Sequence, residues 1–226
     1  MEAITIKGVE IFLDAPEKYI QINDISGDDL TEVHTALAEQ YPGYELTLCF
    51  RDVPIPEKAL AAIGADVLED CHAMKVTPQE FTPKDCGEIV LLDLSDLLNN
   101  EAFAEFAALH DRINPAPDMF WSSQRILKRR DIWRILVLRE EGKITGYTMI
   151  MMALRNNAGL GEIFCVEADT APYREALFSA AVRCAFENGK TTVLRMVECD
   201  DINEKEAALA VGFRITGHYR GYTAVL

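Results

Sequence analysis

The sequence predicts a mixed α/β fold in which helices flank a central sheet. The apolar run LGEIFCV at 160–166 is short, follows turn residues and is typical of a strand buried on both faces. The segment after it places small and apolar residues along one stripe of a helix that ends at Gly189. The β-branched segment TTVLRMV at 191–197 then predicts a further strand. Strands that alternate with amphipathic helices indicate a sheet with helices packed on it.

Composition and charge exclude some classes of function. The 226 residues are 49% hydrophobic and 26% charged, which is ordinary for a globular protein with a sizeable core. The formal net charge of −15 argues against a nucleic-acid partner, because contacts with phosphates require a basic surface. The short basic run Lys128-Arg129-Arg130 is interpreted as a solvated helix end.

The sequence carries no pattern for a membrane span, a signal peptide or a metal site. No apolar run approaches the roughly 20 residues that a spanning helix needs, so we expect a cytoplasmic protein with no membrane partner. The six cysteines are widely spaced, with no pair at metal-ligand spacing. We therefore expect buried thiols, with neither a disulfide framework nor a metal site.

The C-terminal part of the chain gives a clear order of elements. Asn114-Pro115-Ala116-Pro117 is predicted to be a loop, since proline breaks a helix, and further turns are predicted at 140–143 and 156–159. The predicted elements are a strand at 88–93, helices at 103–110 and 122–130, strands at 133–139, 147–154 and 160–166, a helix at 173–188, a strand at 192–197, a helix at 203–211 and a strand at 213–222.

The N-terminal part repeats the end of this order. Its predicted elements are a strand at 18–25, a helix capped by Asp28 or Asp29, a strand at 45–50, a short helix at 56–63 and a strand at 66–76. Gly64 ends its short helix as Gly212 ends the helix at 203–211.

Domain limits follow from this repeat of elements. Because the order matches better than the residues do, we expect a degenerate half-copy at 1–76 and a full domain at 87–226. The segment 77–86, with Pro78 and Pro83, is the natural linker between them.

From residue 87 onward, the order of elements resembles the GCN5-related N-acetyltransferase (GNAT) superfamily. The resemblance is carried by LGEIFCV, by the helix that ends at Asn188-Gly189, by TTVLRMV and by NEKEAALAVGF at 203–213. Residues 1–76 resemble the C-terminal half of the same fold, as a degenerate tandem copy. The resemblance implies a central strand that splays away from its neighbour, with acetyl-CoA bound in the resulting cleft. The pantetheine arm would pair with the backbone of Phe164, Cys165 and Val166 like an added strand.

The loop that would hold the pyrophosphate departs from the family pattern. VEADTAPYRE has no glycine, whereas the family loop is glycine-rich so that backbone amides can approach the phosphates. The resemblance places Tyr173, Arg174 and Glu175 at the pyrophosphate, where Arg174 can pair with it and Glu175 adds an unfavourable negative charge. The alternative is that Arg174 is a surface residue and that Asp169 or Thr170 simply caps the helix.

Transfer to an amine also requires a base, because the attacking nitrogen must lose a proton. Glu162 is the candidate, since burial within an apolar strand raises the pKa of a carboxyl group and some family members carry a glutamate base there. Alternation along the strand predicts that Glu162, Phe164 and Val166 share one face. The alternative is a structural Glu162 at an exposed strand start or in a salt bridge.

The tyrosine that protonates the CoA thiolate in many family members has no counterpart here, because Ala208 stands at its position. Tyr219 and Tyr222 on the last strand are the remaining candidates, with packing as their alternative role. Asn203 matches the family asparagine near the start of the short helix and is assigned to cofactor binding, with Asp201 as the alternative.

Other reactive side chains are interpreted as structural. His34, His72, His110 and His218 lack partners at the spacing of a metal or catalytic site. Cys165 lies mid-strand, where a thiol is usually buried and inert.

The expected function is an N-acetyltransferase that uses acetyl-CoA and a small-molecule or peptide amine. An acidic surface suits a cationic acceptor. The alternative is a non-catalytic GNAT-like module for acyl-CoA binding or assembly, favoured by the missing glycines and the missing helix tyrosine. The oligomeric state stays open, with a homodimer as one arrangement.

Overall fold

The computed structural model describes residues 2–51, 53–92, 101–115, 121–152 and 158–226. Parts of the predicted strands at 88–93 and 147–154, of the loop at 114–117 and of the turn at 156–159 lie outside these residues. The predicted mixed α/β class is confirmed. Within the described ranges, no helix is both long enough and apolar enough to cross a membrane.

The chain forms two compact units. Unit 1 comprises residues 1–73 and 216–226, and unit 2 comprises residues 74–215. Both limits fall inside strands, and unit 1 takes the C-terminal segment together with the N-terminal part. The predicted domains at 1–76 and 87–226 stay a prediction, and they divide the end of the chain differently.

Unit 1 is a mixed sheet with the helices α1 and α2 packed on it. Its elements, numbered in chain order, are β1 Glu2–Ile6, β2 Val9–Asp14, β3 Tyr19–Asn23, α1 Gly27–Gln40, β4 Glu45–Arg51, α2 Glu57–Ala62 and most of β5 Asp66–Val76 and β11 Arg214–Val225. The strands lie in the order β1-β2-β3-β4-β11-β5. β3 and β4 run parallel, while β11 pairs with β4 in the antiparallel sense. Leu30, Val33 and Leu37 of α1 are fully buried in the core of this unit.

The hairpin of β1 and β2 has no counterpart among the predicted elements. Its strands are joined by the two-residue turn Lys7-Gly8, which is the commonest length for a hairpin loop. Ile11 and Leu13 alternate with more exposed residues and enter the core, so the strand period of two was present in the sequence.

The N-terminus of α1 differs from its prediction. Ser26 is the N-cap, and its hydroxyl oxygen accepts the backbone N–H of Asp29 at 3.2 Å. The predicted caps Asp28 and Asp29 lie inside the first turn instead, where carboxylates favour the positive end of the helix dipole.

Unit 2 is a five-stranded sheet with helices on both faces. Its elements are β6 Glu88–Leu91, α3 Glu101–Ile113, α4 Ser123–Lys128, β7 Trp133–Glu140, β8 Lys143–Met151, β9 Leu160–Glu167, α5 Ala171–Glu187, β10 Thr192–Glu198 and α6 Ile202–Ala210. The strand order is β10-β9-β8-β7-β6. β9 and β10 are parallel, and the other pairs are antiparallel.

The two faces of the unit 2 sheet carry separate cores. On one face, α5 and α6 pack against strand residues that include Ile150, Ile163 and Val166. On the other face, α3 and α4 contribute Phe106 and Ile126 to a second core. Its strand members are Trp133, Ile135, Val137, Ile144, Tyr147, Met149 and Cys165. The central strands are therefore buried on both sides, as their apolar composition predicts.

The predicted linker is an ordered part of unit 2. The N–H of Thr82 donates to the carbonyl of Val211 at 2.9 Å, and the N–H of Lys84 donates to the hydroxyl of Ser179 at 2.7 Å. The ring of Phe81 packs edge-on against Phe186 of α5, with centroids 5.8 Å apart. Segment 77–86 therefore packs across α5 and the end of α6.

Gly212 fixes this packing, and its substitution tests it. Gly212 has φ +102°, and a Cβ atom there would overlap the carbonyl oxygen of Glu80. We expect Gly212→Ala to lower the free energy of unfolding by at least about 3 kcal/mol, because it adds a steric clash to the backbone strain of a positive φ. Urea denaturation of both proteins measures this difference.

Gly189→Ala is the matched control. Gly189 has φ +78°, and a Cβ atom there would meet nothing within 4 Å. Its substitution should cost only the strain of the left-handed backbone, about 1–2 kcal/mol. Equal losses for the two variants would contradict the close approach of segment 77–86 to Gly212.

Candidate active site between β9 and β10

The parallel pairing of β9 and β10 ends partway along both strands. The ladder runs from Leu160 opposite Thr192 to Ile163 opposite Arg195. Beyond it, the described register pairs no residue of 164–167 with 196–198, while β8 still pairs with β9 as far as Glu167. β9 is thus held on one edge and leaves a cleft on the other, here called the β9–β10 cleft.

A β-bulge lies at the start of this cleft. On β8, Met149 is opposite Cys165 and Ile150 is opposite Ile163, so Phe164 is the extra residue. A bulge twists its strand and redirects the side chains that follow it. Such bulges recur next to binding sites, where the redirected backbone and side chains serve a ligand.

The bulge corrects the predicted arrangement of side chains on β9. Val166 joins Ile163 in the core under α5, whereas Phe164 and Cys165 both belong to the core under α3 and α4. The prediction that Phe164 and Val166 share a face is therefore wrong, because strict alternation fails at an extra residue.

The two carboxylates of β9 come to the same face as a result. Glu162 is opposite Met151, and Glu167 is opposite Tyr147, both of which lie on the α3–α4 face. Directly opposite residues in an antiparallel pair share a face, so Glu162 and Glu167 flank the bulge on that side.

The inner end of the cleft is bridged by Arg195. Its Nε donates to Glu204 Oε1 at 2.6 Å, and its Nη1 donates to the carbonyl oxygen of Phe164 at 2.6 Å. The side chains of Arg195 and Glu204 are only 14% and 11% exposed, so the ion pair is largely shielded from water. The Phe164 carbonyl, which β10 no longer satisfies, is thereby satisfied within the chain.

Glu167 is a candidate functional residue that the sequence reasoning missed. Burial raises the pKa of this carboxyl group, and the nearby Glu204 raises it further, while Arg195 and Arg174 oppose the shift. A carboxyl whose pKa moves toward neutrality inside a cleft is a common feature of acid–base sites. In the sequence, the signal was that Glu167 directly follows the apolar run at 160–166. The predicted strand ended at Val166, so Glu167 was left out of it.

The N-terminus of α5 offers few free donors to a phosphate. Thr170 is the N-cap, and its hydroxyl oxygen accepts the N–H of Tyr173 at 3.4 Å. Pro172 lies in the first turn and has no N–H. The Arg174 side chain donates from Nη2 to the carbonyl oxygen of Ala168 at 2.8 Å, which holds the guanidinium against the loop before the helix.

The other residues predicted to bind acetyl-CoA lie near the start of α5 and on α6. The hydroxyl of Tyr173 donates to Glu140 Oε1 at 2.5 Å, and this hydrogen bond raises the pKa of Tyr173. Glu175 is half-buried on α5, just after its first turn. Asn203 is exposed, and it is the neighbouring Asp201 that caps α6 by accepting the N–H of Glu204 at 2.8 Å.

Both predicted tyrosines lie in unit 1. Tyr219 belongs to unit 1, where its hydroxyl lies 2.7 Å from Glu69 Oε1 and 3.1 Å from Cys49 Sγ. Burial raises the pKa of Tyr219. Tyr222 is 7% exposed and packs edge-on against Phe50 in the unit 1 core. Ala208, which the resemblance matches with the family tyrosine, is fully buried.

A buried polar network lies beneath the α3–α4 face of β9. His110 Nδ1 is 2.8 Å from the hydroxyl of Tyr147, and its Nε2 is 2.8 Å from the carbonyl oxygen of Trp121. Because a carbonyl only accepts, Nε2 carries a proton, and Nδ1 shares a hydrogen bond with the Tyr147 hydroxyl. Asn114 Nδ2 donates to the same hydroxyl at 2.9 Å. This network satisfies both ring nitrogens of His110 and ties α3 to β8, and the structural role of His110 stays a prediction.

The cysteines follow the expectation of buried thiols in part. All six are free; Cys49, Cys71, Cys165 and Cys184 are buried, and Cys86 and Cys199 are partly exposed. Burial raises the pKa of Cys165, so this thiol is protonated and a poor nucleophile.

Comparison with known proteins identifies the fold. No protein-family model and no curated protein matches the chain. A GCN5-related N-acetyltransferase from Sphaerobacter thermophilus matches with a TM-score of 0.65 and 14% identity, covering 96% of this chain and 76% of that one. The corresponding protein from Kribbella flavida matches with a TM-score of 0.65 and 11% identity, covering 99% and 89%.

A third match is a tandem GNAT protein from the clavulanic acid biosynthesis pathway. It has a TM-score of 0.62 and 12% identity, and the match covers 96% of this chain and 78% of that one. The chain therefore has the GNAT fold, as the resemblance in sequence predicted. Within unit 2, the early end of the β9–β10 ladder and the bulge at Phe164 adjoin each other on β9.

The raised pKa of Glu167 predicts a pH-dependent effect on stability. The unfolded chain releases this proton at lower pH than the folded chain, so stability falls as pH rises through the interval between the two pKa values. We expect Glu167→Gln to increase the free energy of unfolding at neutral pH, because the glutamine carries no charge to desolvate. The gain should vanish below the ordinary carboxyl pKa of about 4.3.

Urea denaturation at a series of pH values measures this effect. Glu187→Gln is the control, because Glu187 is exposed at the end of α5 and its substitution removes the same charge. A Glu167→Gln gain that persists unchanged at acidic pH would contradict a role for ionisation.

Proposed function

We propose that the chain is an N-acyltransferase that transfers an acetyl group from acetyl-CoA to the amine of a small molecule or peptide. The observation that carries the proposal is the β9–β10 cleft beside the bulge at Phe164. An open strand edge offers backbone groups to an extended ligand, and a bulge re-aims them toward it. The likeness in fold to GNAT acetyltransferases supports the same reaction by analogy.

The donor would lie along Phe164, Cys165 and Val166, with pantetheine amides pairing with the strand edge. The carbonyl of Phe164 already accepts from Arg195, so pairing at this residue requires the Arg195 side chain to move or to share the oxygen. A carbonyl oxygen has two lone pairs, and sharing is chemically available.

Glu162 is the proposed base. It lies on the α3–α4 face two residues before the bulge, so its carboxylate is close to the point where the donor would cross β9. The amine nitrogen attacks the thioester carbonyl carbon, and a C–N bond forms as the C–S bond breaks. Glu162 takes the proton from the nitrogen, directly or through a water.

The departing thiolate takes its proton from solvent in this proposal. Tyr219 and Tyr222 were the candidates for this role, but both are engaged in unit 1, and Ala208 of α6 has no acidic group. A thiol is acidic enough, with an ordinary pKa of about 8.5, that a thiolate leaves without obligatory acid assistance.

Arg174 is the proposed contact for the pyrophosphate, and calorimetric titration tests it together with the donor site. We expect acetyl-CoA to bind with micromolar affinity and more tightly than pantetheine, because the guanidinium pairs with phosphate. Arg174→Ala should weaken acetyl-CoA about tenfold or more and leave pantetheine nearly unchanged. No binding at millimolar acetyl-CoA would overturn the proposed function.

Arg183→Ala is the matched control for this titration. Arg183 lies on the same helix and pairs with the exposed carboxylate of Asp85 at 3.1 Å. Arg183→Ala also removes one positive charge from α5, but at a position outside the cleft. The affinity for acetyl-CoA should therefore stay close to that of the unchanged protein.

Glu162→Gln tests the base once an acceptor amine is turned over. We expect kcat/KM to fall about 100- to 10,000-fold. The rate should also lose the increase with pH that reflects deprotonation of the base. Glu206→Gln, an exposed change on α6, is the control for loss of one negative charge. An unchanged rate and pH profile in Glu162→Gln would contradict the assignment of Glu162 as the base. Glu167→Gln would then be the next variant to measure.

The second candidate function is a non-catalytic module for acyl-CoA binding or assembly. It is favoured by the internal bridge from Arg195 to Phe164 and Glu204 across the cleft, together with the few donors at the start of α5. If this second function is correct, the protein either binds acetyl-CoA without acetylating any amine or does not bind acetyl-CoA. Detection of an acetylated amine by mass spectrometry decides against it.

A further inference from the structure

We propose that the acceptor of this site is an arylalkyl ammonium compound, held by an aromatic subsite on the α3–α4 face. The subsite consists of Trp121, Trp133, Met151, Glu162 and Phe164. The inference rests on the proposed function, because it names the acceptor class of the same reaction.

Three aromatic rings form the floor of this subsite. The rings of Trp121 and Trp133 meet edge-on, with centroids 5.2 Å apart and an interplanar angle of 78°. Trp133 meets Phe164 in the same manner, at 5.6 Å and 73°. Trp133 is fully buried, whereas Trp121 and Phe164 are partly exposed, so the accessible surface belongs to the two outer rings.

The bulge on β9 joins these rings to the cleft. Phe164 is the bulged residue, so the side chain that reaches Trp133 belongs to the same residue whose carbonyl lies in the cleft. An acceptor held against Phe164 is thereby next to the strand edge proposed for the donor. Proximity of the two reactants is the main requirement for a transfer between them.

Strand register adds a carboxylate to the same surface. Trp133 of β7 is opposite Met151 of β8, and Met151 is opposite Glu162 of β9. These three side chains therefore lie in one row on the α3–α4 face. Met151 and Glu162 are both partly exposed, so the β9 end of the row reaches the surface.

The aromatic rings and the Glu162 carboxylate together define the class of ligand that this subsite would bind. Aromatic faces bind a cation through the ring quadrupole, most strongly at tryptophan, and they stack with a second flat ring. A carboxylate beside them favours an ammonium group and disfavours an anion. The chain's net charge of −15 favours the approach of cations in the same way. A flat apolar group attached to an ammonium by a short alkyl chain satisfies each of these contacts.

Intrinsic fluorescence reports on this subsite alone. The chain has only two tryptophans, and both belong to it. The indole N–H of Trp133 is buried without a hydrogen-bond partner in the described part of the chain, so its emission should be blue-shifted relative to that of the partly exposed Trp121. Trp121→Phe and Trp133→Phe each leave one reporter and keep a ring in place.

The experiment titrates the full chain with 2-phenylethylamine, alone and with saturating CoA, and follows tryptophan emission. We expect saturable quenching that persists in Trp133→Phe, because Trp121 is the outer ring. Two probes serve as controls: 1,4-diaminobutane has ammonium groups but no ring, and 3-phenylpropionate has the ring with a negative charge. Each should bind at least about tenfold more weakly.

Variants separate the ring contact from the charge contact. Trp121→Ala should weaken 2-phenylethylamine about tenfold, and Glu162→Gln should reduce its preference over 3-phenylpropionate. Phe81→Leu is the control, because it removes a ring from the opposite core and should leave amine affinity unchanged. Isothermal calorimetry repeats the amine measurements where a variant removes the reporter.

The outcomes distinguish this inference from the proposed function. Absence of quenching by 2-phenylethylamine both with and without CoA overturns the inference, as does equal or tighter binding of 1,4-diaminobutane. Quenching by the amine with no acetyl-CoA binding supports the subsite while the transferase proposal fails. Acetyl transfer to 1,4-diaminobutane in preference to 2-phenylethylamine leaves the transferase proposal standing and overturns the aromatic acceptor.

Discussion

The candidate site depends on one constraint: β9 stays paired with β8 as far as Glu167 but loses β10 after Ile163. The pairing with β8 keeps the strand rigid, and the loss of β10 opens its other edge. Because a buried backbone group needs a partner, an open edge at the centre of a sheet must be satisfied by a side chain or a ligand. Arg195 supplies this partner within the chain at Phe164.

Charged side chains gather where β9 and β10 separate. Glu167, Glu204 and Asp201 would repel one another where the strands separate, and Arg195 and Arg174 offset them. The pair of Arg195 and Glu204 is shielded, so removing one partner would leave an uncompensated buried charge. In this partly balanced set of charges, Arg174 at the loop is the cation next to the start of α5.

Elements with strong periodicity could be predicted from the sequence, and local departures from periodicity could not. The strand at 66–76 and the succession from β9 to α6 follow from apolar spacing and helix-ending glycines, and the GNAT fold follows from their order. The bulge at Phe164 has no local marker, so alternation misplaced Val166. The role of Glu167 depends on where β10 departs, and the burial of Tyr219 depends on pairing between strands far apart in the sequence, which spacing alone does not specify.

Unit 1 shows why a repeat of elements does not repeat the site. Its succession β3, α1, β4, α2, β5 has the order of β9, α5, β10, α6, β11, and its first two strands are also parallel. However, every residue of β3 from Tyr19 to Asn23 is paired with β4, and the described register contains no bulge in this pair. The strand edge that unit 2 opens is therefore closed in unit 1. The same order of elements therefore leaves an open strand edge only in unit 2, where the ladder of the parallel pair ends early.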